Sequence, residues 1–87
     1  MANCFQFQII TAEGTLLDEK AEYCNVPTGS GSVGILANHA PMLCALREGT
    51  VRCRTAGGTE KCVKISDGVA DVRDNSVTIL ADRAEVR

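Results

Sequence analysis

The sequence predicts an all-β domain, built as an antiparallel sandwich or barrel. Three observations predict it. Short apolar–polar alternations recur along the chain. Turn residues interrupt them at regular spacing. No segment sustains a helical apolar period.

The elements follow in order. Cys4 to Ile10 alternates, with Phe5, Phe7 and Ile9 on one face and Gln6 and Gln8 on the other, as in a half-buried strand. Thr11-Ala12-Glu13-Gly14 is a turn. Thr15 to Leu17 starts a second short strand, Asp18 to Lys20 is a charged connection, and Ala21 to Val26 is a third strand closed by Pro27. Beyond the central stretch, Thr50 to Thr55 places Val51 and Cys53 on one face and Arg52 and Arg54 on the other. Ala56-Gly57-Gly58-Thr59 predicts a hairpin, because paired glycines satisfy primed turns. Glu60 to Ser66 returns with Val63 and Ile65 inward. Asp67-Gly68 marks a turn or bulge. Val69 to Arg73 is a strand, Asp74-Asn75 a two-residue turn, Ser76 to Asp82 the last strand, and Ala84 to Arg87 a frayed tail.

The scaffold is interrupted by the stretch from Pro27 to Leu46. It holds both prolines, three of the eight glycines and the single histidine. Gly29, Gly31 and Gly34 predict an irregular loop with tight turns. Asn38 is suited to the left-handed region. Pro41 pushes Ala40 towards an extended conformation. A brief strand at Val33 to Leu36 and a buried one at Met42 to Leu46 complete the stretch. No charged residue stands between Tyr23 and Leu46, with His39 neutral. Its prolines, glycines and hydroxyls argue against a membrane span. A long uncharged loop of this kind is suited to being covered by a partner.

With 87 residues there is room for one domain with a thin core. The net charge of −2 and the scarcity of aromatics (Phe5, Phe7, Tyr23) give no footprint for nucleic acid. Charge is uneven. Residues 13–22 carry Glu13, Asp18, Glu19 and Glu22 against Lys20. Residues 47–64 carry Arg47, Arg52, Arg54, Lys61 and Lys64 against Glu48 and Glu60. These runs read as solvated strand faces, or as a basic edge for an acidic partner. The five cysteines are odd in number, and Met1-Ala2-Asn3 leads straight into a strand pattern without a signal peptide. Free thiols in a reducing cytosol are expected.

Candidate chemistry is sparse. Cysteine–histidine catalysis could draw only on His39, with Cys44 five residues on, and no oxyanion loop or orienting acid accompanies them. A turn histidine bonded to backbone is the simpler reading. The cysteines, spaced by 20, 20, 9 and 9 residues, lack the tight pairs of a zinc site and read as small fillers. Gly29-Ser30-Gly31-Ser32-Val33-Gly34 resembles a phosphate loop, but no lysine–threonine or lysine–serine pair follows and no helix starts there. Asp18-Glu19 and Asp71-Asp74 sit at edges or turns, where acids are solvated. The residues therefore point to a binding module. A stand-alone thiol or metal enzyme using His39 with Cys44 is the rival reading.

Gly34-Ile35-Leu36-Ala37-Asn38-His39-Ala40-Pro41-Met42-Leu43 resembles the epsilon subunit of the F-type proton-translocating ATP synthase, whose members typically read Gly-Ile-Leu-Pro-Gly-His-Ala-Pro-Leu-Leu. Further blocks resemble the family in the same order. They are Thr11-Ala12-Glu13-Gly14, Val26-Pro27, Leu46-Arg47-Glu48-Gly49, Ile65-Ser66-Asp67-Gly68-Val69-Ala70-Asp71-Val72 and Val77-Thr78-Ile79-Leu80-Ala81-Asp82. The chain departs from the pattern at Ser32, where some members carry an acid, at Ala37-Asn38, and at Val69, where a large aromatic is usual.

The resemblance implies a flattened sandwich of two antiparallel sheets, with residues 1–87 as one domain. In the family this domain lies at the foot of the central stalk. It packs on the gamma subunit, rests on the c-ring, turns with the rotor and couples proton flow to ATP synthesis without catalytic residues. By position, Gly29, Ser30, Gly31, Ser32 and Val33 would face the c-ring. Thr11, His39 and Cys44 would lie towards gamma. No cofactor or metal is implied. The implied location is peripheral, on the cytoplasmic face of a bacterial plasma membrane. Family members usually continue into a helical hairpin that carries an inhibitory arm. As this chain ends at Arg87, the expectation is rotor coupling without that arm.

Overall fold

The computed structural model describes residues 3–87. Met1 and Ala2, the start of the segment read as lacking a signal peptide, lie outside the described residues. Nine strands run through the rest: β1 (Phe5–Thr11), β2 (Gly14–Thr28), β3 (Gly31–Leu36), β4 (Met42–Leu46), β5 (Gly49–Thr55), β6 (Glu60–Ile65), β7 (Gly68–Arg73), β8 (Ser76–Ala81) and β9 (Ala84–Val86).

One strand organises the fold. The two short strands and the charged connection expected between Thr15 and Val26 are a single 15-residue strand, β2. Gly14 to Ala21 pairs with β1. Tyr23 to Asn25 then pairs with β3 on one side and β5 on the other. Asp18 and Lys20 stay in the strand because they sit on its outer face opposite Gln8 and Gln6, and the Gln6 amide donates to Asp18 at 2.6 Å. A bulge between Ala21 and Tyr23 changes the parity of β2. Before it the buried residues are Leu17 and Ala21; after it they are Cys24 and Val26. Pro27 ends no strand: its carbonyl accepts from the Arg47 N–H at 3.0 Å.

β2 therefore belongs to two layers. One runs β4-β7-β8-β1 and the first half of β2; the other runs β3, the second half of β2, β5-β6-β9. The inward residues of both form one core, including Phe7, Ile9, Ile35, Val51, Ile65 and Ile79. The sandwich expectation holds, with one correction to its antiparallel pairing. β1 runs parallel to β8, with Phe7 beside Val77 and Ile9 beside Ile79. The two strands are too far apart in sequence to form a hairpin, so nothing local dictates their direction.

Other expectations needed revision. The β5–β6 hairpin forms, but only Gly58 has positive φ, at 89°. Its turn is held by the Gly58 N–H on the Thr55 carbonyl and by the Thr59 N–H on Thr55 Oγ1, so it is not a primed two-glycine turn. Asp74 and Asn75, by contrast, both adopt positive φ of 50° and 56°, as a two-residue hairpin turn requires. The tail is ordered into β9, which pairs with β6. Met42 to Leu46 is half-buried or exposed apart from Leu46, because β4 is an edge strand.

The oppositely charged runs meet each other. Lys61 bonds Glu19 at 2.6 Å, and Arg54 reaches Glu60 at 3.0 Å and Glu22 at 3.9 Å. These are partly exposed pairs of small net value. They answer part of the basic run from within the chain.

A candidate docking surface

The uncharged stretch folds into an edge. From Thr28 to Gly31 it is a hairpin tip, not an irregular loop. The Thr28 hydroxyl donates to the Gly31 carbonyl at 2.6 Å and accepts the Ser30 N–H at 3.2 Å. Gly31 supplies the positive φ of 115°. Gly29, Ser30, Gly31 and Ser32 are exposed at this tip, whereas Val33 is half-buried against the core.

β3 runs back from the tip, and among the described residues it pairs only with β2. Residues 37–41 then carry the chain over to β4, which pairs with β7 and touches β2 at one bridge, Thr28 with Leu46. Among the described residues β3 and most of β4 thus each keep one unpaired side, and the connection joins these two open edges. Along this open side Val33, Ala37, Met42 and Cys44 pack against the core yet remain half-buried. Leu36 is 61% exposed, Leu43 72% and Tyr23 38%. The Tyr23 ring lies over Gly34, where a Cβ would stand 3.3 Å from it.

The connection itself is fixed. Asn38 takes φ 62°, as its residue type leads one to expect. Its N–H donates to Asn75 Oδ1 at 2.7 Å. His39 Nδ1 lies 2.7 Å from the Ala40 carbonyl, so that nitrogen carries the proton and donates. The ring is thereby used as a turn histidine. Cys44 shares the inward parity of Met42 and Leu46 and lies opposite Ala70.

The predicted site residues divide into separate places. His39 and Cys44 belong to the open side. Thr11 does not: it closes β1, where its hydroxyl accepts the Glu13 N–H at 3.1 Å. It lies at the end marked by Leu46, Gly68 and Ala81, with β7 and β8 between it and β4. The Gly29–Ser32 tip is at that same end, through the Thr28–Leu46 bridge, while His39 is at the opposite end beside the Asp74-Asn75 turn. Sequence reasoning missed Leu36, Leu43 and Tyr23 as surface residues. Their alternation with Ile35, Cys44 and Cys24 was a usable signal, but which face lay outward depended on the partner strands.

Comparison with known proteins places this surface in context. The family described as ATP synthase, Delta/Epsilon chain, beta-sandwich domain matches residues 4–87. The ATP synthase epsilon chain of Desulfitobacterium hafniense (strain DSM 10664 / DCB-2) is 44% identical over 85 residues, covering 98% of this chain and 64% of that protein. That of Nitratidesulfovibrio vulgaris is 40% identical over 85 residues, covering 98% and 63%. The chain therefore spans a little under two thirds of the length of these relatives. A chain in the cryo-EM structure of the Euglena gracilis mitochondrial ATP synthase, OSCP/F1/c-ring, superposes with TM-score 0.91 at 24% identity, covering 99% of this chain and 55% of that one. A chain in the Tetrahymena thermophila mitochondrial ATP synthase central stalk/c-ring superposes with TM-score 0.80 at 15% identity, covering 98% and 69%. Both likenesses show the same fold. With its strands and its sequence in agreement, the chain belongs to the ATP synthase delta/epsilon family through the beta-sandwich domain.

Proposed function

We propose that this chain is a non-catalytic part of the central stalk of an F-type ATP synthase. It docks on the gamma subunit through its open side and turns with the rotor, coupling proton translocation to ATP synthesis. The observation that carries this reading is the open side itself. Two edge strands flank half-buried Val33, Ala37, Met42 and Cys44, with Leu36 and Leu43 exposed beside them and no charged residue between Tyr23 and Leu46. Built from an uncharged segment and bordered by charge only from neighbouring strands, at Asp71 beside Leu43 and Arg54 beside Tyr23, such a strip is stabilised when another apolar protein surface covers it. The epsilon-chain relatives and the stalk and c-ring structures that share the fold support the choice of partner.

In this reading His39 and Cys44 lie towards gamma from the strip, and Thr11 contributes from the far end of β1. The exposed tip Gly29-Ser30-Gly31-Ser32, with Val33 at its root, faces the c-ring. The chain is then peripheral to the membrane through its complex, on the cytoplasmic face of a bacterial plasma membrane. Among the described residues no helix is long and apolar enough to cross a membrane.

The test is titration of purified gamma with this chain by calorimetry. Leu43→Glu and Leu36→Glu place a charge in the strip and are expected to weaken binding at least tenfold, equivalent to about 1.4 kcal/mol. Their thermal melts should stay close to the parent's, since both side chains are exposed. Absence of binding by the parent chain, or equal binding by both variants, would end the reading.

A further inference from the structure

Asn75 makes more contacts than a hairpin turn needs. It occupies the second position of the β7–β8 turn at φ 56°. Its side chain leaves the turn entirely. Oδ1 accepts the Asn38 N–H at 2.7 Å, and Nδ2 donates to the Cys4 carbonyl at 2.9 Å. Its backbone carbonyl accepts the Gln6 N–H at 3.2 Å. The amide has only one orientation that satisfies both side-chain contacts, since one partner is a donor and the other an acceptor. Three segments distant in sequence are thus held by one residue: the start of β1, the β7–β8 turn and the 37–41 connection.

Besides Ala37, which packs against the core, the connection has few other ties to the fold among the described residues. It includes no strand, and the His39 ring bonds to the carbonyl of its own neighbour Ala40, which ties it to no other segment. Asn38 itself sits in the left-handed region, and its N–H is tied 37 residues away.

We propose that Asn75 is the positioning residue of the docking strip: it sets, from the opposite β-turn, where residues 37–41 lie and so how the edges β3 and β4 are presented. Its reach to Asn38 fixes the left-handed step that turns the chain from one layer to the other. The effect on docking rests on the function proposed above; the effect on the connection does not.

The test uses two variants of the full chain. Asn75→Gly keeps a residue that tolerates positive φ, so the turn persists while both side-chain bonds vanish. Asn75→Asp keeps the acceptor for Asn38 and loses the donor to Cys4. Amide hydrogen exchange followed by NMR is expected to show the Asn38 N–H exchanging roughly tenfold faster in Asn75→Gly, the effect of losing one hydrogen bond. In Asn75→Asp the Asn38 N–H should stay protected. Titration against purified gamma should show severalfold weaker binding by Asn75→Gly, with the β7–β8 amides still protected. Unchanged Asn38 exchange in Asn75→Gly would overturn the positioning role. Faster exchange with unchanged gamma affinity would overturn its link to docking. If the parent chain does not bind gamma, the docking reading fails, and the exchange data still decide what Asn75 does.

Discussion

At the scale of single residues, glycine matters in this protein where backbones approach one another. Gly68 opens β7, and a Cβ there would run into the carbonyl oxygen of Leu80 and stand 3.0 Å from the Ala81 Cα. Both obstacles are backbone of the neighbouring strand, so nothing flexible can yield. Gly68→Ala is expected to cost about 1–3 kcal/mol, as overpacking does, and to lower the melting temperature by several degrees. Gly29 is the control. A Cβ at Gly29 would meet no atom within 4 Å, and the φ there is not positive. Gly29→Ala should change stability by less than about 0.5 kcal/mol. Thermal melts of the two variants check the contrast, and equal effects would refute it. Legibility differs in the same way. Asp67-Gly68 could be recognised as a turn or bulge from sequence, but the reason for glycine lies in the backbone of β8, a separate strand.

At the scale of elements, β2 and β5 bring two cysteines face to face. Cys24 and Cys53 are register partners and both are buried. Burial, reinforced by the neighbouring Cys53, pushes the Cys24 thiol up to about 12. Burial first, then the Glu19 carboxylate, pushes Cys53 up to about 11. In the unfolded chain both would ionise near 9.0. Below that pH both states keep the protons, and the contribution of these thiols to stability is fully present. As pH rises above 9, the unfolded chain loses protons that the folded one retains. Stability then falls until pH passes the folded values, at up to about 1.4 kcal/mol per pH unit for each thiol. Melting temperature measured from about pH 8 to about pH 10.5 should therefore decline above the unfolded value. The decline should be shallower in the Cys24→Ala, Cys53→Ala double variant. Parallel slopes would show that other groups control the alkaline limb. The same pairing explains why the thiols were legible only as small fillers: Cys53 lay on an apolar face by alternation, but the bulge that turns Cys24 towards it leaves no clear mark in the sequence.

At the scale of the whole molecule, stability and the proposed docking draw on different residues. Phe7 is fully buried at the centre of the core, between Glu19 of β2 and Val77 of β8 in register. Phe7→Ala is expected to cost about 3–5 kcal/mol. That is a large share of the roughly 5–15 kcal/mol available to a domain. Leu43, 72% exposed on an edge strand, should tolerate alanine within about 0.5 kcal/mol. Denaturant midpoints measure both, and a Leu43→Ala cost comparable to that of Phe7→Ala would place Leu43 in the core after all. The molecule can thus vary its open side while keeping its sandwich. Its edge strands leave backbone groups open to pairing with another chain.

Alternation along each strand and the turn residues between them determined the all-β class, the inward faces of β1, β5 and β6 and the left-handed Asn38, because these depend on chemistry within a few residues. The absence of charge from residue 24 to 46 also singled out the stretch now proposed to dock. Tertiary structure alone decided that β2 is one bent strand shared by two layers, that β1 runs parallel to β8, and that Asn75 reaches back to residue 38. Each of these is a pairing between segments distant along the chain. Local preference cannot encode such a choice, since it is settled by which arrangement buries the shared core.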